Sequence, residues 1–378
     1  MKILIGADLV PTQSNRELFA AGDAKALLGE QLMERLAQAQ VRIFNLEVPL
    51  TDTPAPIDKC GPNLIAPTPC AAGYQAIGTD ILTLANNHIL DQGVQGLEST
   101  LQCLKAQGIR SLGVGENPQA AAQPYVFPFA GKQIGIYACT EHEFSIVTEN
   151  TPGANPFDPL ESPDHVAALK ARCDYVIVLY HGGKEHYRYP SPQLQKVCRK
   201  LVDKGADLVV CQHSHCIGCQ EAYHGGTIVY GQGNFLFDHS TNECWQTGLL
   251  IQLNEQLDVS YLCVEKDGSR VKLAPEERSK QILEEFYHRS REISQAGFVE
   301  RNYARYAQTM TQGYLLRVAG KRGFLTKLLN RLTGGRYLKL RLRRRYGKQA
   351  RLSLQNTVEC EAHRELLLAG IKEWNEKQ

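Results

Sequence analysis

Tyr175-Val-Ile-Val-Leu-Tyr-His181-Gly-Gly-Lys-Glu185 decides the fold class. Its first six residues are all apolar or aromatic and rich in β-branched side chains, the pattern of a strand buried on both faces. The run stops at an imidazole followed by two glycines, so a chemically useful side chain sits where the strand ends. Carboxyl ends of parallel strands are where α/β proteins place their sites. The same arrangement recurs upstream. Residues 2–7 hold a short apolar run, with Ile3, Leu4 and Ile5, that stops at Asp8; residues 41–44 stop at Asn45 and Glu47; residues 81–85 stop at Asn86, Asn87 and His88. Downstream, residues 208–211 run toward His213 and His215.

Helical spacing lies between these strands. Leu28, Leu32 and Leu36 share one face in residues 27–39, and Leu97, Leu101 and Leu104 share one in 94–107, which Gly108 ends. Ser191-Pro192 caps a helix running to Lys204 before Gly205. Strands alternating with helices predict a sheet covered on both sides. Further strands are expected at 125–129, 133–138, 227–230, 247–253 and 259–264. Residues 49–69, with six prolines, read as a long loop. After about residue 270 the chain turns charged and helical, so the expected domains are 1–270 and 271–378.

The 378 residues are 43% hydrophobic and 22% charged, enough for a folded core, and the net charge of +2 gives no general attraction for nucleic acid. Asp, Glu, Asn and His together suit borderline divalent ions such as Mn, Fe or Zn. Two such ions about 3.5–4 Å apart can share a carboxylate and activate water for an in-line attack. His213 and His215, two apart, face the same way in an extended segment, or serve neighbouring ions in a tight loop.

The motifs Ala7-Asp8-Leu9-Val10, Asn45-Leu46-Glu47, Leu84-Ala85-Asn86-Asn87-His88, His181-Gly182-Gly183-Lys184-Glu185, His213-Ser214-His215 and Tyr230-Gly231-Gln232-Gly233-Asn234-Phe235 occur in this order. In them the chain resembles the CapA family of poly-γ-glutamate capsule biosynthesis proteins, itself similar to calcineurin-like metallophosphoesterases. The resemblance implies a four-layer αββα sandwich with a mainly helical, basic C-terminal appendage. It implies one or two divalent ions held by Asp8, Glu47, Asn87, His181, His213 and His215. His88 would be the acid that protonates the leaving oxygen, with Asn45 and Asn86 positioning groups around it. The implied activity is hydrolysis of a phosphoester or related bond in the synthesis of a capsule polymer. The chain departs from the metallophosphoesterase pattern at three positions: Val10 replaces a motif histidine, Glu47 replaces a bridging aspartate, and Ile89 replaces a glutamate. The missing histidine leaves open an alternative, a non-catalytic accessory protein that keeps the fold and binds polymer or a synthase.

Glu185, Lys184, Arg188 and Asn234 are further candidates near the site, and Lys184, His186, Tyr187 and Arg188 could grip an anionic substrate. Gly231 and Gly233 match no phosphate-binding pattern and are expected to let backbone pass close beneath the site. Cys216 and Cys219 could form half a structural zinc site, but a second close pair is lacking. His142, His165, His239, His288 and His363 stand outside the motifs and read as surface residues. The start of the chain does not read as an export signal, and no run reaches the roughly 18 apolar residues of a membrane span. Twelve cysteines then suggest thiols in a reducing cytoplasm. The basic stretch 321–351 fits a capsule-synthase partner or a membrane surface.

Overall fold

The computed structural model describes residues 1–238, 240–320 and 324–376. His239 and the start of the basic stretch, Lys321 and Arg322, lie outside them. The chain forms two compact units, Met1–Glu300 and Arg301–Gln378.

The first unit is built on two mixed sheets. One has seven strands in the order Arg270–Leu273, Val259–Asp267, Thr247–Leu253, Ile3–Asp8, Val41–Asn45, Ile81–Thr83, Arg110–Leu112. The other has six: Gln220–Tyr223, Gly226–Tyr230, Leu208–Gln212, Tyr175–His181, Lys132–Thr140, Tyr125–Phe129. The decisive strand Tyr175–His181 lies inside the second sheet, parallel to both neighbours. Its period of two explains the layers. Val176, Val178 and Tyr180 meet the helices Ser162–Lys170 and Pro192–Asp203 through Leu169, Leu194 and Leu201. Ile177 and Leu179 point the other way, into a core shared with Ile3, Ile5, Ile43 and Ile81 of the first sheet. The outer face of the first sheet, with Leu4, Phe44 and Leu82, packs on Leu28, Leu32, Leu36, Tyr74 and Leu97 of its helices. Helix, sheet, sheet, helix is the expected four-layer αββα sandwich.

The local signals act as read in most places. Ser191 Oγ accepts from the Leu194 amide at 3.0 Å, Pro192 opens the helix, and Gly205 follows it at φ 107°. One helix differs. The spacing over 27–39 suggests a single helix, but Gly29 at φ 70° divides it into Ala24–Leu28 and Glu30–Ala37. The sheet also continues past the change in character near residue 270. Strand Arg270–Leu273 closes it, and Ile282 and Phe286 of helix Glu276–Ile293 complete the inter-sheet core. The first unit therefore runs on to Glu300.

The second unit is helical. It holds most of Phe298–Val318, then Phe324–Leu332, Arg336–Arg345, Lys348–Glu359 and Glu361–Glu376. Lys348–Glu359 and Glu361–Glu376 are separated only by the break at Cys360. Among the described residues no helix is long and apolar enough to cross a membrane.

Ile177 is fully buried between the sheets. Ile177→Ala is expected to lower stability by about 2–5 kcal/mol, since a cavity there has sheet on both sides and little room to collapse. A urea midpoint within error of the parent would contradict this packing.

Candidate metal centre

Strand phase delivers the polar residues to the space between the sheets. His181 is in phase with Ile177 and Leu179. Asn45 is in phase with Ile43. Asp8 would follow Leu4 toward the helices, but the pairing with Val41–Asn45 shifts register between Ile5 and Asp8 and turns it inward beside Asn45. His213 and His215 sit in the turn after Leu208–Gln212, both in left-handed conformation at φ 76° and 53°. Two such residues so close together are uncommon outside functional sites.

The side chains converge. His181 Nε2 lies 3.1 Å from Asn87 Oδ1, 3.1 Å from His213 Nδ1 and 3.3 Å from Glu47 Oε1. His181 Nδ1 faces the Asn45 amide at 3.3 Å. His215 Nδ1 lies 2.9 Å from Asn234 Oδ1 and 3.4 Å from Asp8 Oδ2. Ligand atoms of Glu47, His181 and His213 lie within 4.8 Å of one another, and so do those of Asp8, Glu47 and His215. Glu47 belongs to both groups.

Burial makes this arrangement costly unless a cation joins it. Asp8 and Glu47 are both fully buried. Both oxygens of Glu47 and Oδ2 of Asp8 lack a hydrogen-bond donor. A single proton on His181 Nε2 cannot serve Asn87, Glu47 and His213 together. A divalent ion can accept lone pairs from all of them, and the nitrogen and oxygen donor set suits Mn, Fe or Zn. The residues present thus fit a metal centre.

The electrostatics show the same strain. Burial pushes the Asp8 carboxyl up, and the Glu47 charge adds to the effect. Burial also opposes ionisation of Glu47, but the attraction of His181 outweighs it and holds this carboxyl low. Burial and the neighbouring His181 hold His213 well below the ordinary imidazole range. Burial would lower His215 too, yet the nearby Asp8 carboxylate and the charge of Glu47 push it up to about 9.

A hydrogen-bonded frame fixes these groups. Asn45 donates to Asp8 Oδ1 at 2.7 Å and accepts from Thr83 and Asn86. Asn86 also donates to the Leu46 carbonyl and accepts the His88 amide. The Asn234 amide holds His215, whose ring lies against Trp245 with centroids 4.2 Å apart. Gly231 keeps the backbone close beneath the turn: a Cβ there would lie 2.8 Å from the Cys216 carbonyl oxygen.

Not every sequence candidate joins the cluster. Arg188 donates to the Ile217 carbonyl and pairs with Glu243. Lys184 pairs with Glu185 at 3.7 Å. His186 accepts from the Trp245 indole at 2.8 Å. Val10 is buried in the apolar core beside the helices, so it supplies no ligand where the pattern has histidine. Among the described residues, neither ligand group includes a cysteine. His142, His288 and His363 are exposed, while His165 is half-buried against the Tyr137 hydroxyl.

Two residues absent from the sequence motifs stand behind His88. Its Nδ1 lies 2.6 Å from Asp91 Oδ2, and Asp91, fully buried, also pairs with Lys59. The three-residue spacing from His88 to Asp91 was a usable signal; Lys59, from the proline-rich loop, had none. Glu143 accepts from the Asn87 amide at 3.2 Å and is likewise unmarked in sequence.

The fold and this centre define a four-layer α/β sandwich with a metal-competent cluster between its sheets. The chain belongs to the family of bacterial capsule synthesis proteins PGA_cap, whose model matches residues 3–239. It is 32% identical over 161 residues to the PGA biosynthesis protein CapA of Bacillus subtilis (strain 168), covering 42% of each chain. It is 30% identical over 167 residues to the capsule biosynthesis protein CapA of Bacillus anthracis, covering 43% of this chain and 41% of that one. The match thus spans less than half the length of these relatives. The fold is also similar, at 13% identity and a TM-score of 0.44, to a phosphatase of Mycoplasma pneumoniae, over 71% of this chain and 94% of that one.

Incubation with Mn or Zn followed by dialysis is expected to leave bound metal and raise the melting temperature. Saturation at a hundredfold over Kd corresponds to about 2.7 kcal/mol. His213→Ala should lose metal and most of the shift, whereas Arg188→Ala should keep its metal. Equal metal content in all three proteins, by elemental analysis, would refute the assignment.

Proposed function

We propose that the chain is a metal-dependent hydrolase acting on a phosphoester or related bond in the synthesis of poly-γ-glutamate or another capsule polymer. The observation that carries this reading is the set of lone pairs around His181 Nε2, facing a carboxylate with no hydrogen-bond donor of its own. Asp8, Glu47 and His215 would hold one ion, and Glu47, His181, His213 and Asn87 the other. Ions so bound supply Lewis acidity and a nucleophile at neutral pH.

The chain's own residues do the rest. The Asn45–Asn86 network holds Asp8 and the His88 backbone in fixed relation. Asp91 accepts from His88 Nδ1, which fixes the ring's orientation; protonated on both nitrogens, the imidazolium would pass its Nε2 proton to the leaving oxygen and remain as the neutral Nδ1–H tautomer. Trp245 and Phe237 cover His215 and keep water from that side. An amide or γ-glutamyl bond is open to the same attack, because its carbonyl also develops negative charge in the transition state. We place the activity in the cytoplasm on the strength of the twelve cysteines, nine of them buried as small core residues.

Val10 favours a second reading, an accessory protein that binds anionic polymer or a synthase without turnover, since one metal position has fewer donors.

His88→Ala is expected to lower kcat on a generic phosphodiester by about 10²–10⁴-fold with metal content unchanged. Asp91→Asn should show a smaller loss and an altered pH profile. A metal-loaded chain that hydrolyses neither phosphodiester nor γ-glutamyl substrates, yet binds polyglutamate, would establish the accessory reading instead.

A further inference from the structure

The charge of this chain is unevenly divided. Of its 42 Lys and Arg, 15 lie in residues 301–358, a segment without a single Asp or Glu. Outside it, 27 basic residues face 40 acidic ones. A net charge of +2 therefore conceals a strongly cationic helical segment joined in sequence to an acidic sandwich. Solvation of a helix surface needs charge but not charge of one sign. Like charges at this density repel one another unless an anionic partner is near.

Aliphatic side chains share this surface. In helix Phe324–Leu332, Leu328, Leu329 and Leu332 are exposed at positions that share one face, with Leu332 72% accessible. In Arg336–Arg345, Leu340 is 53% exposed among the basic neighbours Arg341, Arg343, Arg344 and Arg345. The last three are all exposed, and among the described residues none has an ion-pair partner. Within this unit a cavity of about 370 Å³ is lined by Leu316, Leu338 and Leu342 together with Arg341, Arg344 and Arg345. A lining that combines leucine hydrocarbon with arginine guanidinium suits a ligand that combines an acyl chain with a phosphate.

We propose that helices Phe324–Leu332 and Arg336–Arg345 form a docking surface for anionic phospholipid, with exposed leucines entering the headgroup boundary and arginines gripping lipid phosphates. Charge attraction combined with insertion of apolar side chains is how helices bind in the plane of a membrane without crossing it. Nucleic acid would satisfy the arginines, but exposed leucines gain nothing from a phosphate backbone, and single strands call for aromatic stacking platforms. An anionic polymer such as polyglutamate meets the same objection.

The test is cosedimentation of the full chain with vesicles of phosphatidylcholine alone and of phosphatidylcholine mixed with phosphatidylglycerol. Two variants accompany it, Arg343→Gln/Arg344→Gln/Arg345→Gln and Leu328→Ser/Leu332→Ser, each checked for parental helix content by circular dichroism. Binding is expected only to the anionic vesicles and at least about tenfold weaker in each variant. Binding that ignores phosphatidylglycerol, or no binding at all, overturns the proposal. So does an affinity for duplex DNA or polyglutamate that exceeds the vesicle affinity and survives the leucine substitutions. If either variant lacks parental helicity, Arg344→Gln and Leu332→Ser alone carry the comparison. None of these residues belongs to the metal centre, so loss of vesicle binding with intact metal content separates this surface from the hydrolase reading.

Discussion

Two carboxylates buried side by side, Asp8 and Glu47, are the constraint around which the sandwich is organised. Taking one such charge out of water costs several kcal/mol unless it is paired, and two of like sign cost more. The molecule answers with three imidazoles, from His181, His213 and His215, in the same space. Imidazoles alone do not complete the balance, because three carboxylate oxygens remain without a donor. The site is held together by the fold rather than by its own attractions. Strands anchored in an inter-sheet core of isoleucine, leucine and valine carry these groups inward whether or not they welcome one another.

Such a centre needs support against its own repulsions, and the support is polar and indirect. Asn45 links the first strand to the third through Asp8, Thr83 and Asn86, so moving one ligand disturbs the others. The left-handed backbone at His213 and His215 stores strain that the glycines around Gly231 make tolerable by allowing chains to pass within contact distance. A site assembled from five separate segments is therefore rigid, because each segment ends a strand already fixed in a sheet.

The layers and most ligands were legible in sequence for a physical reason. Tyr175–His181 has to be buried on both faces, and a histidine at its end can only emerge at the edge of the sandwich or between the sheets. What was not legible depends on contacts remote in sequence. The register shift that turns Asp8 inward leaves no mark in Ile3–Asp8 itself. Lys59 reaches Asp91 from a loop without periodicity. The alternating Leu338, Leu340 and Leu342 are spaced like a strand, but Arg336–Arg345 is helical, where alternation puts Leu342 inside and Leu340 outside. Arg188 sits two residues past His186 yet serves the Ile217 carbonyl, because side-chain direction after a turn does not follow from spacing.

The two halves of the centre are unequal, and the inequality bears on what the centre can do. Glu47, His181, His213 and Asn87 bring four donors toward one point, close to the tetrahedral number that borderline ions favour. Asp8, Glu47 and His215 bring three, and Val10, buried in the apolar core, brings no fourth. The first half is the tighter one on coordination alone. The second keeps an open position, and open positions are what a catalytic ion requires while a structural ion does not. Loss of the motif histidine is thus compatible with turnover: it would weaken one ion's hold and at the same time leave that ion a coordination position for water or substrate. Glu47, common to both halves and longer than the aspartate it replaces, has the reach to bridge them.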